Sequence, residues 1–193
     1  MTANAVTTLR LLLLVPLGAL LLCGTDAASR WEALGVFLAA GLSDILDGFL
    51  ARRLGQASAF GAVLDLVADR LLTAVTVIAL IAAGTLRGWA VAPAVVLILR
   101  DLIVASLNEA LPGLLAIRVS ALERFKIAAQ FTALALLIAP DVRRPELRLS
   151  LHDAGVILLG IAALLALVTV ADYWRRALRE FAAARQGGPA EIP

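Results

Sequence analysis

The sequence predicts an all-α integral membrane protein with six transmembrane helices and a polar active site at the cytosolic interface. Three observations lead there. Of the 193 residues, 62% are AVILMFWYC and the mean hydropathy is +0.95, whereas an ordinary soluble domain is nearer half apolar. Apolar stretches of about 20 residues, the length that crosses a bilayer core as a helix, recur along the chain. The links between them are short and carry helix breakers: Gly24-Thr25-Asp26, Gly55-Gln56, Gly84 and Leu111-Pro112-Gly113.

Composition removes several classes of function. Charged residues are 17% and the formal net charge is only +2, too little for a nucleic-acid binder. A single cysteine, Cys23, and a single histidine, His152, exclude a disulfide framework and a Cys/His metal centre. Residues 1–185 read as one membrane domain and 186–193 as a flexible C-terminal tail.

The six stretches are Ala5–Cys23, Trp31–Arg52, Ala57–Ala83, Gly88–Asn108, Val119–Ile138 and Ala154–Tyr173. No small-residue cleavage site closes the first, so it reads as retained in the membrane. Trp31 opens the second stretch and Trp89 the fourth, while Tyr173-Trp174 closes the sixth, as interfacial anchors do. The third begins after Gly55-Gln56 and stops at Gly84. A polar run from Pro140 to Asp153 separates the fifth from the sixth, and a charged tail helix fraying after Arg185 follows. Counting Lys and Arg on alternate sides gives ten (including Arg52, Arg53, Arg118, Arg124 and Lys126) against five (Arg30, Arg87, Arg143, Arg144, Arg148). The positive-inside rule then predicts a multi-pass protein of the inner (plasma) membrane with both termini and the active site in the cytosol.

The second and third stretches are not cleanly apolar, since they contain Asp44, Asp47, Arg52, Asp65, Asp69 and Arg70. An ionised group at a bilayer centre costs roughly 2.5–3.5 kcal/mol on insertion scales, so these residues need partners, water or an ion. Asp44, Asp47, Gly48, Ala51 and Arg52 follow i, i+3, i+4, i+7, i+8, one face of a helix; Gly61, Asp65 and Asp69 follow i, i+4, i+8 on the next. The turn between them sets these faces antiparallel and brings four carboxylates around one small volume. Their mutual repulsion calls for a divalent ion, and all-oxygen ligation suits Mg²⁺ or Mn²⁺, with four carboxylates able to hold two ions. Gly48, Ala51 and Gly61 leave room for helix packing or for a ligand against the backbone. Acidic residues in spans also suit an ion-coupled transporter, but a transporter would set them near midplane at a repeat interface, and no repeat is visible.

Asp44-x-x-Asp47-Gly48-x-x-Ala51-Arg52, eight residues, then Gly61-x-x-x-Asp65-x-x-x-Asp69 resembles the full signature of the CDP-alcohol phosphotransferase (CDP-alcohol phosphatidyltransferase) family. The resemblance extends to the six-span layout and to the Thr7-Thr8-Leu9-Arg10 run. Within the family, the Phe49–Arg53, Phe60–Ala62, Leu64–Asp69 and Leu99-Arg100-Asp101 segments most resemble the bacterial phosphatidylglycerophosphate synthases. Glu123-Arg124-Phe125-Lys126-Ile127 stands where those synthases carry a Gly-Lys-x-Lys-Thr stretch, and puts a carboxylate within reach of Lys126.

The resemblance implies metal-dependent transfer of a phosphatidyl group from CDP-diacylglycerol to an alcohol, with release of CMP. It implies Asp44, Asp47, Asp65 and Asp69 as metal ligands, Asp69 also as general base, and Gly48, Ala51, Arg52 and Gly61 as the CDP site. It further implies a homodimer in contact with membrane lipids. Glycerol 3-phosphate is the expected acceptor, giving phosphatidylglycerophosphate; phosphatidylglycerol (giving cardiolipin), inositol phosphate and serine are the alternatives. A phosphorylated acceptor needs cations beside the four aspartates, and Arg100, Arg118 and Lys126 are the candidates. Arg100, deep in the fourth stretch, is also within reach of Asp65, Asp69 or Glu109.

Overall fold

The computed structural model describes the backbone of residues 2–54, 59–110, 121–141 and 150–186. It also describes their side chains, except at 2–6, 44–54, 59–66, 107–110, 121, 172–173 and 176–186. Among the described residues there is no strand. The order is α1 (Thr2–Cys23), α2 (Ala27–Leu54), α3 (Ala59–Ala82), a 3-10 turn (Gly88–Ala90), α4 (Val91–Ala110), α5 (Ala121–Ile138) and α6 (Leu151–Gln186). Each apolar stretch read from the sequence has its own helix. Among the described residues two segments, Gly88–Ser106 and Leu151–Ala171, are long and apolar enough to cross a membrane, and α1 adds a shorter apolar run, Thr7–Cys23.

Local chemistry sets the corners. Gly24 N–H reaches back to Leu20 O at 3.0 Å, closing α1, and Asp26 starts α2 by accepting from the Ser29 hydroxyl while its carbonyl takes the Arg30 N–H at 3.3 Å. The Ser29 hydroxyl holds the Asp26 carboxyl below its ordinary value. That cap explains why α2 begins four residues before Trp31. At the end of α3, Thr85 N–H bonds Leu80 O and Gly84 N–H bonds Ile81 O, both at 2.9 Å, with Gly84 at φ +68°. This is the left-handed glycine cap that satisfies a helix's last carbonyls. α6 opens on a reciprocal box: Asp153 N–H donates to Ser150 Oγ at 3.1 Å and Ser150 N–H to Asp153 Oδ2 at 3.3 Å.

These corners gather at one end of the bundle. Arg30, in the first turn of α2, donates to Thr85 Oγ1 at 2.6 Å and to Leu137 O in the last turn of α5 at 3.5 Å. His152, in the first turn of α6, donates through Nε2 to Thr85 O at 2.8 Å. α3 and α5 therefore run towards this end, α2 and α6 run away from it, and α1 finishes beside it three residues before α2 begins.

The interior is packed through small residues. Ala33, Ala40, Ala79, Ala94, Ala133 and Ala162 are buried between helices, letting backbones approach. Phe37 of α2 stacks on Phe131 of α5 with ring centroids 4.6 Å apart. Gly41 lies one turn further along α2, where an added Cβ would fall 2.2 Å from the Phe131 ring. The outside is apolar too: Leu12 and Val15 of α1, Leu99 and Leu102 of α4, and Leu164 and Leu167 of α6 are all exposed. Monomers in water rarely show so much contiguous apolar surface; in a bilayer it faces lipid. The protein is a membrane protein.

Candidate active site

The last turns of α2 carry Asp44, Asp47, Gly48, Ala51 and Arg52, and the first half of α3 carries Gly61, Asp65 and Asp69. Only residues 55–58 separate the two helices, which run in opposite directions, so the two halves of the motif lie on consecutive antiparallel helices. The side chains of Asp44, Asp47, Gly48, Ala51, Arg52, Gly61 and Asp65 lie outside the described residues, and so does Arg118 altogether. Asp69 is described and exposed, between the buried Ala68 and Leu72.

Three contacts fix which residues share its level. Gln130 Nε2 of α5 donates to Thr73 Oγ1 of α3 at 3.1 Å. α3 and α5 run the same way, so four residues back along each, about 6 Å at 1.5 Å per residue, Lys126 is level with Asp69. A Cβ on Gly18 of α1 would lie 3.7 Å from Val75 Cγ1, and eight residues back along the parallel α1 and α3 Arg10 is level with Val67. On the far side, the Phe37–Phe131 stack sets the last turns of α2 towards the same level. The aspartate hairpin, Arg10 and Lys126 thus occupy one slab of the bundle, away from the Arg30–Thr85–His152 end.

Within that slab sits a buried charged network joining α4, α5 and α6. Arg100 Nη2 donates to both carboxylate oxygens of Glu123, at 2.7 and 2.6 Å, and to Thr169 Oγ1 at 3.3 Å; its Nη1 donates to Asp101 Oδ1 at 3.0 Å. Lys126 Nζ donates to the same Asp101 oxygen at 3.2 Å. Arg100 is 6% exposed and Lys126 2%. Buried cations need partners of this kind, because an unpaired charge out of water costs several kcal/mol. The four charges of the network sum to zero. The carboxylate that α5 offers Lys126 in sequence therefore goes to Arg100 instead, and Asp101 serves Lys126.

A third buried cation is Arg10, 1% exposed and the largest fully buried side chain among the described residues. It lies on the α1 stripe Thr7, Arg10, Leu14, Leu17, Leu21, whose members are all buried. A cavity of about 120 Å³ opens between α3 and α4, lined by Arg70, Leu71, Thr73, Ala74, Ile98, Asp101 and Leu102. It brings Asp101 against the turn of α3 that follows Asp69.

Of the sequence-derived candidates, the structure brings Arg100 and Lys126 together and sets Lys126 level with Asp69. The sequence reading did not assign Asp101 or Thr169. A signal for part of the network was present: Glu123, Lys126 and Gln130 follow i, i+3, i+7, a polar face on an otherwise apolar helix. Thr169 gave no signal, being a lone hydroxyl in the apolar run of α6.

The class of protein is thus a helical membrane bundle that carries an aspartate motif on consecutive helices at the level of a buried ion-pair network, and comparison with known proteins supplies the family. Residues 1–175 match the CDP-alcohol phosphatidyltransferase family, and the chain belongs to it. The probable phosphatidylglycerophosphate synthase of Mycobacterium tuberculosis is 35% identical over 187 residues, covering 95% of this chain and 85% of that protein. A CDP-diacylglycerol--glycerol-3-phosphate 3-phosphatidyltransferase of Escherichia coli is 34% identical over 169 residues, 86% of this chain and 89% of that one. A CMP-forming cardiolipin synthase of Oryza sativa is 34% identical over 157 residues, 75% of this chain and 48% of its own length.

Proposed function

We propose that this protein transfers the phosphatidyl group of CDP-diacylglycerol to glycerol 3-phosphate, releasing CMP and forming phosphatidylglycerophosphate. The observation that carries the reading is the complete eight-position aspartate motif on one helix hairpin, in a chain whose relatives in M. tuberculosis and E. coli bear the names of that activity.

The donor set fits a hard divalent ion: Asp44, Asp47, Asp65 and Asp69 supply only oxygen, and they sit on two helices separated by four residues. These four residues would hold Mg²⁺ or Mn²⁺, two ions by the number of carboxylates, and the bound metal would neutralise the pyrophosphate and the leaving CMP oxygen. Gly48, Ala51, Arg52 and Gly61 hold the CDP moiety. Asp69 takes the proton of the acceptor hydroxyl as its oxygen attacks the phosphatidyl phosphorus; the bond to CMP breaks and CMP leaves with the electron pair. Arg100, Arg118 and Lys126 bind the acceptor's phosphate, which the aspartates would otherwise repel. The exposed apolar flanks suit six spans, with the motif end and both termini on the cytosolic side, where CDP-diacylglycerol presents its nucleotide. The working unit is a homodimer.

The likeness to the rice cardiolipin synthase favours a second reading, in which phosphatidylglycerol is the acceptor. Arg118→Ala and Lys126→Ala separate the two. With glycerol 3-phosphate as the natural acceptor, both variants raise its KM at least tenfold, a loss of about 1.4 kcal/mol, and leave the KM for CDP-diacylglycerol nearly unchanged. If both retain the wild-type KM for glycerol 3-phosphate, or the wild type prefers phosphatidylglycerol, the glycerol 3-phosphate assignment fails.

A further inference from the structure

The acceptor cations are already occupied. Arg100 forks onto Glu123 and leans on Asp101, and Lys126 rests on Asp101 too. The two carboxylates stand where the oxygens of a phosphate dianion would stand. They are not equally held: Glu123 is 8% exposed and doubly bonded to Arg100 at 2.7 and 2.6 Å, whereas Asp101 accepts at 3.0 and 3.2 Å and lines the cavity between α3 and α4.

We infer that Asp101 is an internal stand-in for the acceptor's phosphate, holding Arg100 and Lys126 until that phosphate arrives and reclaiming them as product leaves, while Glu123 stays on Arg100 and offsets its charge. This rests on the proposed reaction and extends it. Transfer consumes the acceptor's hydroxyl and leaves its phosphate intact, so the product carries the same dianion that brought the acceptor in. A pocket of bare buried cations would grip both and release product slowly. Carboxylates that compete for those cations weaken acceptor and product together, spending binding strength that would be common to both and so would not speed the chemical step. Asp101, longer-bonded and facing the cavity, is the arm that gives way; Glu123, backed by Thr169 on Arg100, tunes the charge of the arm that stays. Glu123 is thus a positioning residue that acts through Arg100.

The test uses the full-length protein in detergent, with Glu123→Gln and Asp101→Asn, each near in size to the original and lacking its charge. The readouts are the KM for glycerol 3-phosphate, the KM for CDP-diacylglycerol, kcat, and the Ki of inorganic phosphate as a competitor of the acceptor. The inference expects the acceptor KM and the phosphate Ki to fall at least threefold in one or both variants, with kcat lowered and the donor KM unchanged; Glu123→Asp, which restores the charge, should return both towards wild type. A purely structural role would not tighten phosphate. Unchanged or raised KM and Ki in both variants, or loss of folded protein in both, would overturn it. A wild type that releases CMP with another acceptor but not with glycerol 3-phosphate would instead overturn the reaction assignment beneath it.

Discussion

Gln130 Nε2 donates to Thr73 Oγ1 at 3.1 Å, tying α5 to α3 one helical turn beyond the level that Lys126 shares with Asp69. The proposed base and a proposed acceptor cation come from segments 57 residues apart in sequence, and a part-buried amide–hydroxyl bond joins their helices beside them.

The α2–α5 contact sets the other wall of the site and leaves no spare volume. Gly41→Ala should destabilise the protein by about 1–3 kcal/mol, because the new methyl must displace the Phe131 ring. Gly35→Ala, on the same helix with nothing within 4 Å of the added carbon, should be neutral or stabilising by up to about 1 kcal/mol. Thermal unfolding of both variants in detergent checks the pair; equal effects would mean that Phe131 yields freely.

Asp69→Asn keeps the size of the side chain and loses the basic oxygen. The variant should stay folded and bind CDP-diacylglycerol in the presence of Mg²⁺, while turnover falls ~10²–10⁴-fold. A wild-type kcat at saturating metal would remove Asp69 as the base.

How much of this was legible beforehand divides along sequence distance. The placing of the aspartate motif on two consecutive helices was, because its residues recur at i, i+3 and i+4 spacings and short-range periodicity survives folding. So was the tail helix, since α6 runs on to Gln186 through Ala- and Arg-rich sequence. The partners of Arg100 were not: Glu123 is 23 residues away and Thr169 is 69, and only the packing of α4 against α5 and α6 brings them together. Asp65, Asp69 and Glu109 were the nearer acids by sequence; among the described residues Arg100 bonds the carboxylate of Glu123 across helices. The start of α2 shifted for a local reason, the Asp26–Ser29 cap.

Metal dependence is the expectation that four carboxylates and no imidazole at the motif set. Replacing Asp44, Asp47 or Asp65 with alanine should raise the Mg²⁺ or Mn²⁺ concentration needed for half-maximal activity, and excess EDTA should abolish the wild-type activity. Full activity in EDTA would exclude the metal reading.

Orientation is open to chemical labelling in a Cys23→Ser background. A cysteine placed at Gln56 should react with an impermeant thiol reagent only from the cytosolic side, and one at Arg144 only from the opposite side. The reverse pattern would separate the proposed CDP site from its nucleotide.

The most direct measurement is an acceptor screen with purified protein and CDP-diacylglycerol, following CMP release and the lipid product with glycerol 3-phosphate, phosphatidylglycerol, inositol phosphate and serine supplied in turn. CMP should form in equal amount with phosphatidylglycerophosphate when glycerol 3-phosphate is present, and at least tenfold more slowly with each of the others. Metal-dependent ion flux without CMP release, or preferred turnover of an acceptor lacking a phosphomonoester, would contradict the assignment.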